Sequence, residues 1–182
     1  MLPSAIKTIR ELILWGYARL MAEKAVGDRK NWLFTLHTFE ELNAKPQKWS
    51  QILREDVQAE LNKCIYCGSS ENSLIACIVA KKMCPLAETH NIISACKKCA
   101  SSKGGKDLIE WWGIERIDEM PRSVMEKYLK ILYLCHECNG TLDDYAVTEE
   151  GRVDIASLSN VFKNMCDYDR AESWQHLHSE DA

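Results

Sequence analysis

Two cysteine knuckles at the centre of the chain constrain its fold more than any other feature. Cys64-Ile65-Tyr66-Cys67 and Cys96-Lys97-Lys98-Cys99 are both C-x2-C, with residues 68–95, 28 in all, between them. A knuckle is a tight turn that aims two sulfurs at one point, and two knuckles supply the four thiolates of a tetrahedral zinc site. Soft thiolates favour zinc over magnesium or calcium. A closed shell of Cys64, Cys67, Cys96 and Cys99 leaves no open coordination position, so this zinc is expected to be structural. Lys63, Lys97 and Lys98 would offset its negative charge. The competing reading, four buried free thiols, makes the spacing a coincidence.

Charge and cysteine usage point the same way. The chain has nine cysteines, an odd number that cannot all pair internally. In the cytoplasm, the expected setting, thiols stay reduced and cysteine clusters read as metal ligands. The net charge of -4 excludes a chain that is basic throughout. Residues 62–106 nevertheless carry seven lysines and two acidic residues. A basic centre between acidic flanks suits an anionic partner, with a solvated lysine-rich surface as the plain alternative. The apolar run Leu12–Leu20 is interrupted by Arg19 and preceded by Lys7, Arg10 and Glu11, so no membrane segment is expected.

The expected fold class is α+β, mostly helical: an N-terminal helical segment (1–62), a zinc-held ββα module (63–112) and a helical C-terminal segment (113–182). Residues 4–26 read as an amphipathic helix with Ile6, Ile9, Ile13, Tyr17 and Leu20 on one face and Gly27 closing it. Further helices are expected over 31–43 and 50–62. Residues 73–80 read as a short strand, 92–95 as the lead into the second knuckle, 100–105 as a polar glycine-bearing stretch and 107–112 as a helical turn. Pro121 suits the first turn of a helix that buries Val124, Tyr128, Ile131, Leu132 and Leu134 and stops at Asn139-Gly140. A last short helix is expected over 158–165. Trp111-Trp112 reads as packing more readily than as a base-stacking platform.

The two knuckles, Gly68, the segment His90-Asn91-Ile92-Ile93 and the run from Cys96 to Gly104 together resemble the HNH endonucleases, a branch of the ββα-metal nucleases. Lys106 to Trp112 extends the likeness, which covers roughly 63–112. The resemblance implies metal-assisted hydrolysis of a DNA phosphodiester. A histidine at the end of the first strand would be the general base, oriented by a middle asparagine. An acidic residue before it and an Asn or His on the helix would hold magnesium or manganese. Lys81, Lys82, Lys97, Lys98, Lys103 and Lys106 are the candidate DNA contacts.

This sequence departs from that pattern at the chemistry. The Asp-His positions fall on Ala76 and Cys77, and the helix Asn on Ala100; only Asn91 matches. Alanine can neither ligate a metal nor move a proton, and cysteine is a poor ligand for hard cations. His90 is a replacement base or simply a loop histidine. The chain is therefore expected to be a cleavage-impaired HNH protein, by drift or by substitution of an active parent. The alternative is a non-catalytic zinc-stabilised module for DNA or a protein partner, including a second copy. A further C-x2-C, Cys135-His136-Glu137-Cys138, suggests a second metal site completed by Cys84 and by His90, Cys77, His136 or Cys166.

Overall fold

A computed structural model describes residues 6–44, 63–70, 73–80 and 91–163 of the chain. The described part is mostly helical, with one two-stranded antiparallel sheet. Helix α1 runs Ile9–Val26, three residues inside the start of the periodic pattern, because Thr8 caps it. Thr8 Oγ1 accepts from the Glu11 N–H, and Glu11 Oε2 accepts from the Thr8 N–H at 3.0 Å, a reciprocal capping box. The next donors of the first turn find backbone partners elsewhere. Ile9 N donates to Asp144 O and Arg10 N to Leu142 O, so the 142–146 segment covers the helix start. Gly27, at φ 75°, ends the helix where a side chain would be strained. The expected face, Ile6, Ile9, Ile13, Tyr17 and Leu20, is buried throughout.

Helix α2, Trp32–Ala44, packs back on α1. Asn31 Oδ1 accepts from Phe34 N at its start, and Trp15 meets Trp32 and Phe39 edge-on with centroids 5.4 and 5.6 Å apart. Arg29, in the turn between the helices, is almost fully buried. It donates to Glu23 Oε2 and to the carbonyls of Asp118 and Met120. One guanidinium thus fastens the α1–α2 turn to the segment ahead of the long C-terminal helix. The expected helix over 50–62 lies outside the described residues.

Strand β1 is Ser73–Cys77 and β2 is Ile92–Cys96, paired antiparallel with Ala76 opposite Ile93 and Cys77 opposite Ile92. The strand expected over 73–80 is shorter than its apolar run because Asn91 ends the ladder with its side chain. Asn91 Oδ1 accepts from Val79 N at 2.8 Å and Nδ2 donates to Val79 O at 2.7 Å. Helix α3, Lys97–Lys103, follows β2 directly, so the stretch from Ala100 is helical until Gly104 breaks it. Asp107 then caps α4, Leu108–Trp112. A 3-10 turn, Ile114–Glu119, leads to α5, Arg122–Asn139, closed by Gly140 at φ 68°. Pro121 stands just before α5 as its cap, and its carbonyl accepts from Val124 and Met125. Of the expected α5 face, Leu134 is only half-buried. The last helix is a 3-10 element, Ile155–Phe162.

One hydrophobic core gathers α1, Phe39, Ile78, Val79, Ile93, α5 and the last 3-10 element. It draws on all three expected segments of the chain. A second, small cluster of Cys64, Ala95 and Cys96 sits beside it. No helix among the described residues is long and apolar enough to cross a membrane.

Candidate metal centre

The first knuckle is built by backbone hydrogen bonds. Cys64 N donates to Ser69 O, Gly68 N to Cys64 O, and Ile65 N to Ser94 O on β2. Gly68 takes φ 73°, which folds the turn back over Cys64. The second knuckle straddles the end of β2 and the first turn of α3. Cys96 is the N-cap of α3, and its Sγ accepts from Cys99 N at 3.4 Å.

These two turns bring the ligand atoms of Cys64, Cys67, Cys96 and Cys99 within 4.8 Å of one another. Cys67 Sγ and Cys96 Sγ are 3.7 Å apart. A tetrahedral zinc with bonds of about 2.3 Å requires sulfurs about 3.8 Å apart, whereas a disulfide needs about 2.05 Å. The spacing fits zinc, and all four cysteines are unoxidised. Among the described residues no other such group of ligands forms.

The electrostatics suit a missing positive charge. Burial alone would push the Cys64 thiol up, but backbone hydrogen bonds from Cys96, Cys67 and Tyr66 bring it down to about 6. The other sulfurs respond to that charge. Cys99 is pushed well up by burial and by Cys96, Cys67 and Cys64. At exposed Cys67 the Ser69 backbone lowers the thiol, yet the neighbouring Cys64 and Cys96 outweigh it. Four thiols this close cannot all ionise alone; a divalent ion removes the conflict by deprotonating its ligands. Lys63, Lys97 and Lys98 are exposed around the quartet.

An aromatic wall stands next to it. Tyr66 packs edge-on against Trp111 at 4.9 Å, and Trp111 against Trp112 at 5.6 Å. Both indoles are tied down, Trp111 Nε1 to Ser102 Oγ and Trp112 Nε1 to Arg116 O, and Arg116 lies over Trp112. This supports packing as the role of the tryptophans.

Two of the positions implied for catalysis share one neighbourhood. Ala76 and Ala100 both pack against the Cys64–Ala95–Cys96 cluster, so the hairpin and helix meet there with two methyl groups. Cys77 is half-buried at the end of β1 and unoxidised. Asn91 is 2% exposed and has both polar atoms engaged by Val79, as described above.

The candidate DNA lysines divide. Lys97, Lys98 and Lys106 are exposed. Lys103 is not the surface contact expected of it: it is 5% exposed. Burial lowers its ammonium, partly countered by Asp107 and Cys77. Lys81, Lys82, Cys84, His90 and Cys166 lie outside the described residues. Cys135 is disulfide-bonded and so offers no thiolate to a second metal site, while Cys138 stays a buried thiol. His136 is engaged structurally: Nε2 meets Leu158 O at 2.9 Å and Nδ1 meets Thr141 Oγ1 at 2.8 Å. A carbonyl only accepts, so Nε2 carries a proton.

Sequence reasoning missed one connection. Tyr128 Oη donates to Asp107 Oδ2 at 2.8 Å, joining α5 to the cap of α4 beside Lys103. The signal for its first half was present, an Asp just before Leu108-Ile109; the partner on α5 is 21 residues away and left none.

Comparison of the chain with protein-family models, curated proteins and solved structures finds no match.

Proposed function

We propose that this chain is an HNH-type ββα module that acts on DNA by binding it, with phosphodiester cleavage lost at its metal-ligand positions. One observation carries the reading. The β1–β2 hairpin and α3 are framed by a zinc-competent quartet, and Ala76 and Ala100 both pack against its Cys64–Ala95–Cys96 cluster. A scaffold with those two side chains has no ligands for magnesium or manganese there. Lys97, Lys98 and Lys106 remain exposed along α3 and its exit, available to phosphates.

The test is a plasmid-nicking assay on the zinc-loaded chain with magnesium or manganese, run beside duplex binding at several salt concentrations. The expected result is no nicking and an affinity that falls steeply with salt. Robust cleavage would sink the loss of catalysis. Absent or salt-independent DNA binding would favour a protein partner, a second copy included. Restoring Ala76→Asp, Cys77→His and Ala100→Asn together is expected to confer metal-dependent nicking.

A further inference from the structure

Lys103 ends α3 where that helix, the end of β1 and the cap of α4 come together. Only 5% of it is exposed, yet its ammonium makes no hydrogen bond or ion pair to any described residue. Asp107 and Cys77 lie close enough to favour its charged form. Asp107 nonetheless does not pair with it. Oδ1 accepts from the N–H groups of Ile109 and Glu110, and Oδ2 from Tyr128 Oη. Among the described residues, the sealed side-chain atoms without a partner are Tyr66 Oη and Arg122 Nε. Lys103 Nζ is not one of them, so its tip keeps contact with solvent.

An ammonium has three donors and no acceptor. Holding one in a mostly enclosed place, with no fixed acceptor, is unfavourable unless something else supplies the oxygens. The described surroundings do not: Cys77 brings a thiol, and Asp107 is turned to α4 and Tyr128. The exposed lysines of the same helix and its exit, Lys97, Lys98 and Lys106, favour a polyanion over an isolated carboxylate.

We infer that Lys103 Nζ anchors a site for one phosphoryl oxyanion, and that this fixed side-chain charge does without a divalent cation. The inference deepens the DNA reading and rests on it only for the source of the phosphate. Lysine acts on phosphate as a point charge and needs no particular bidentate geometry. A site of this kind orients a backbone phosphate at the vacated chemistry without polarising it as a metal would.

The experiment uses the full zinc-loaded chain in buffer with no other divalent ion. The lysine ammonium signals are followed by nitrogen-detected or proton–nitrogen NMR, and Lys103→Arg identifies the Lys103 signal while keeping charge and fold. Probes are inorganic phosphate, a 20-base-pair duplex at about equimolar ratio, and acetate at matched ionic strength. The expected result is a saturable shift of the Lys103 signal with phosphate and with duplex, and little with acetate. Lys103→Met is expected to weaken duplex binding about tenfold, the loss of one good contact, and the exposed Lys106→Met clearly less. A Lys103 signal unmoved by both phosphate and duplex, or moved equally by acetate, overturns the inference. If the duplex still binds while that signal stays put, the inference fails and the DNA reading survives. A phosphate shift without duplex binding upholds the site and removes DNA as its source.

Discussion

Replacing Asn91 with alanine separates two roles that the resemblance and the structure give this residue. Its amide closes a two-bond bracket on Val79, at 2.8 and 2.7 Å, inside a site where Asn91 is 2% and Val79 4% exposed. Alanine would leave the Val79 N–H and C=O both without a partner and beyond easy reach of water. Each orphaned buried group costs about 1–3 kcal/mol, so Asn91→Ala should destabilise the fold by about 2–6 kcal/mol. Urea unfolding of the zinc-saturated chain measures this. With a slope of about 2 kcal/mol per molar, the midpoint should fall by more than about 1 M. Asn91→Asp sharpens the test. A protonated carboxyl can remake both bonds, by accepting from N–H and donating to C=O, whereas a carboxylate can only accept. The folded state therefore holds this carboxyl above its ordinary range. The penalty should be full above that raised value and should shrink as pH falls toward the usual carboxyl range near about 4. Measured against wild type at each pH, the Asp variant should recover progressively as pH falls toward about 4. A midpoint change of under about 0.5 M in Asn91→Ala, or no recovery in Asn91→Asp, would refute the bracket.

Three further outcomes follow from the same geometry. Elemental analysis should find one zinc per chain from the quartet. Cys96→Ser should lose it and lower the unfolding temperature, with a chelator doing the same to wild type. Tyr128→Phe removes a buried hydroxyl that donates to Asp107 Oδ2, and hydrogen bonds to a charged group contribute about 1.5–3 kcal/mol. That loss should appear in urea unfolding. Burial holds His136 below its ordinary value, with Leu158 O and Asp144 only partly opposing. The unfolded chain then binds the proton first, so stability is unaffected above about pH 6.5 and falls as pH drops below it, by at most about 1.4 kcal/mol per pH unit. His136→Gln should flatten that part of the stability profile relative to wild type.

How far the sequence could be read depended on how local the cause was. The α1 face was legible because Ile6, Ile9, Ile13, Tyr17 and Leu20 repeat at helical spacing, and all five are buried. The true start was one step subtler: Thr8 with Glu11 is a capping pair, and the apolar pattern runs past it. The metal quartet was legible because each half is a four-residue turn and the chemistry of four thiolates leaves few options. The end of β1 was not. Ser73 to Ala80 is uniformly apolar and strand-like, and the strand stops at Cys77 because Asn91, from the partner side, takes over the Val79 backbone. Lys103 was misread for a similar reason. On paper it belongs with Lys97, Lys98 and Lys106 in one basic run, and nothing within four residues announces that it turns inward. The disulfide at Cys135 was hidden too, since a C-x2-C on a helix looks the same whether it serves a metal or not.

Cys96 has one more consequence. It is the last residue of β2, the cap of α3 and a member of the quartet. A strand and a helix therefore change direction at a residue whose sulfur is placed to ligate a metal. Any event at the metal, such as exchange for a larger ion, oxidation of a sulfur or loss to a chelator, is mechanically a torque on that hinge. It would be transmitted to Ala76 and Ala100, which pack on the same cluster. Swapping Cys96 for histidine would keep a ligand of suitable affinity and still misdirect the chain, because the longer imidazole cannot bond the metal and cap the helix from the same atom. A metal held there would thus set the geometry of the module, and its identity would become a structural variable of the hairpin and helix around it.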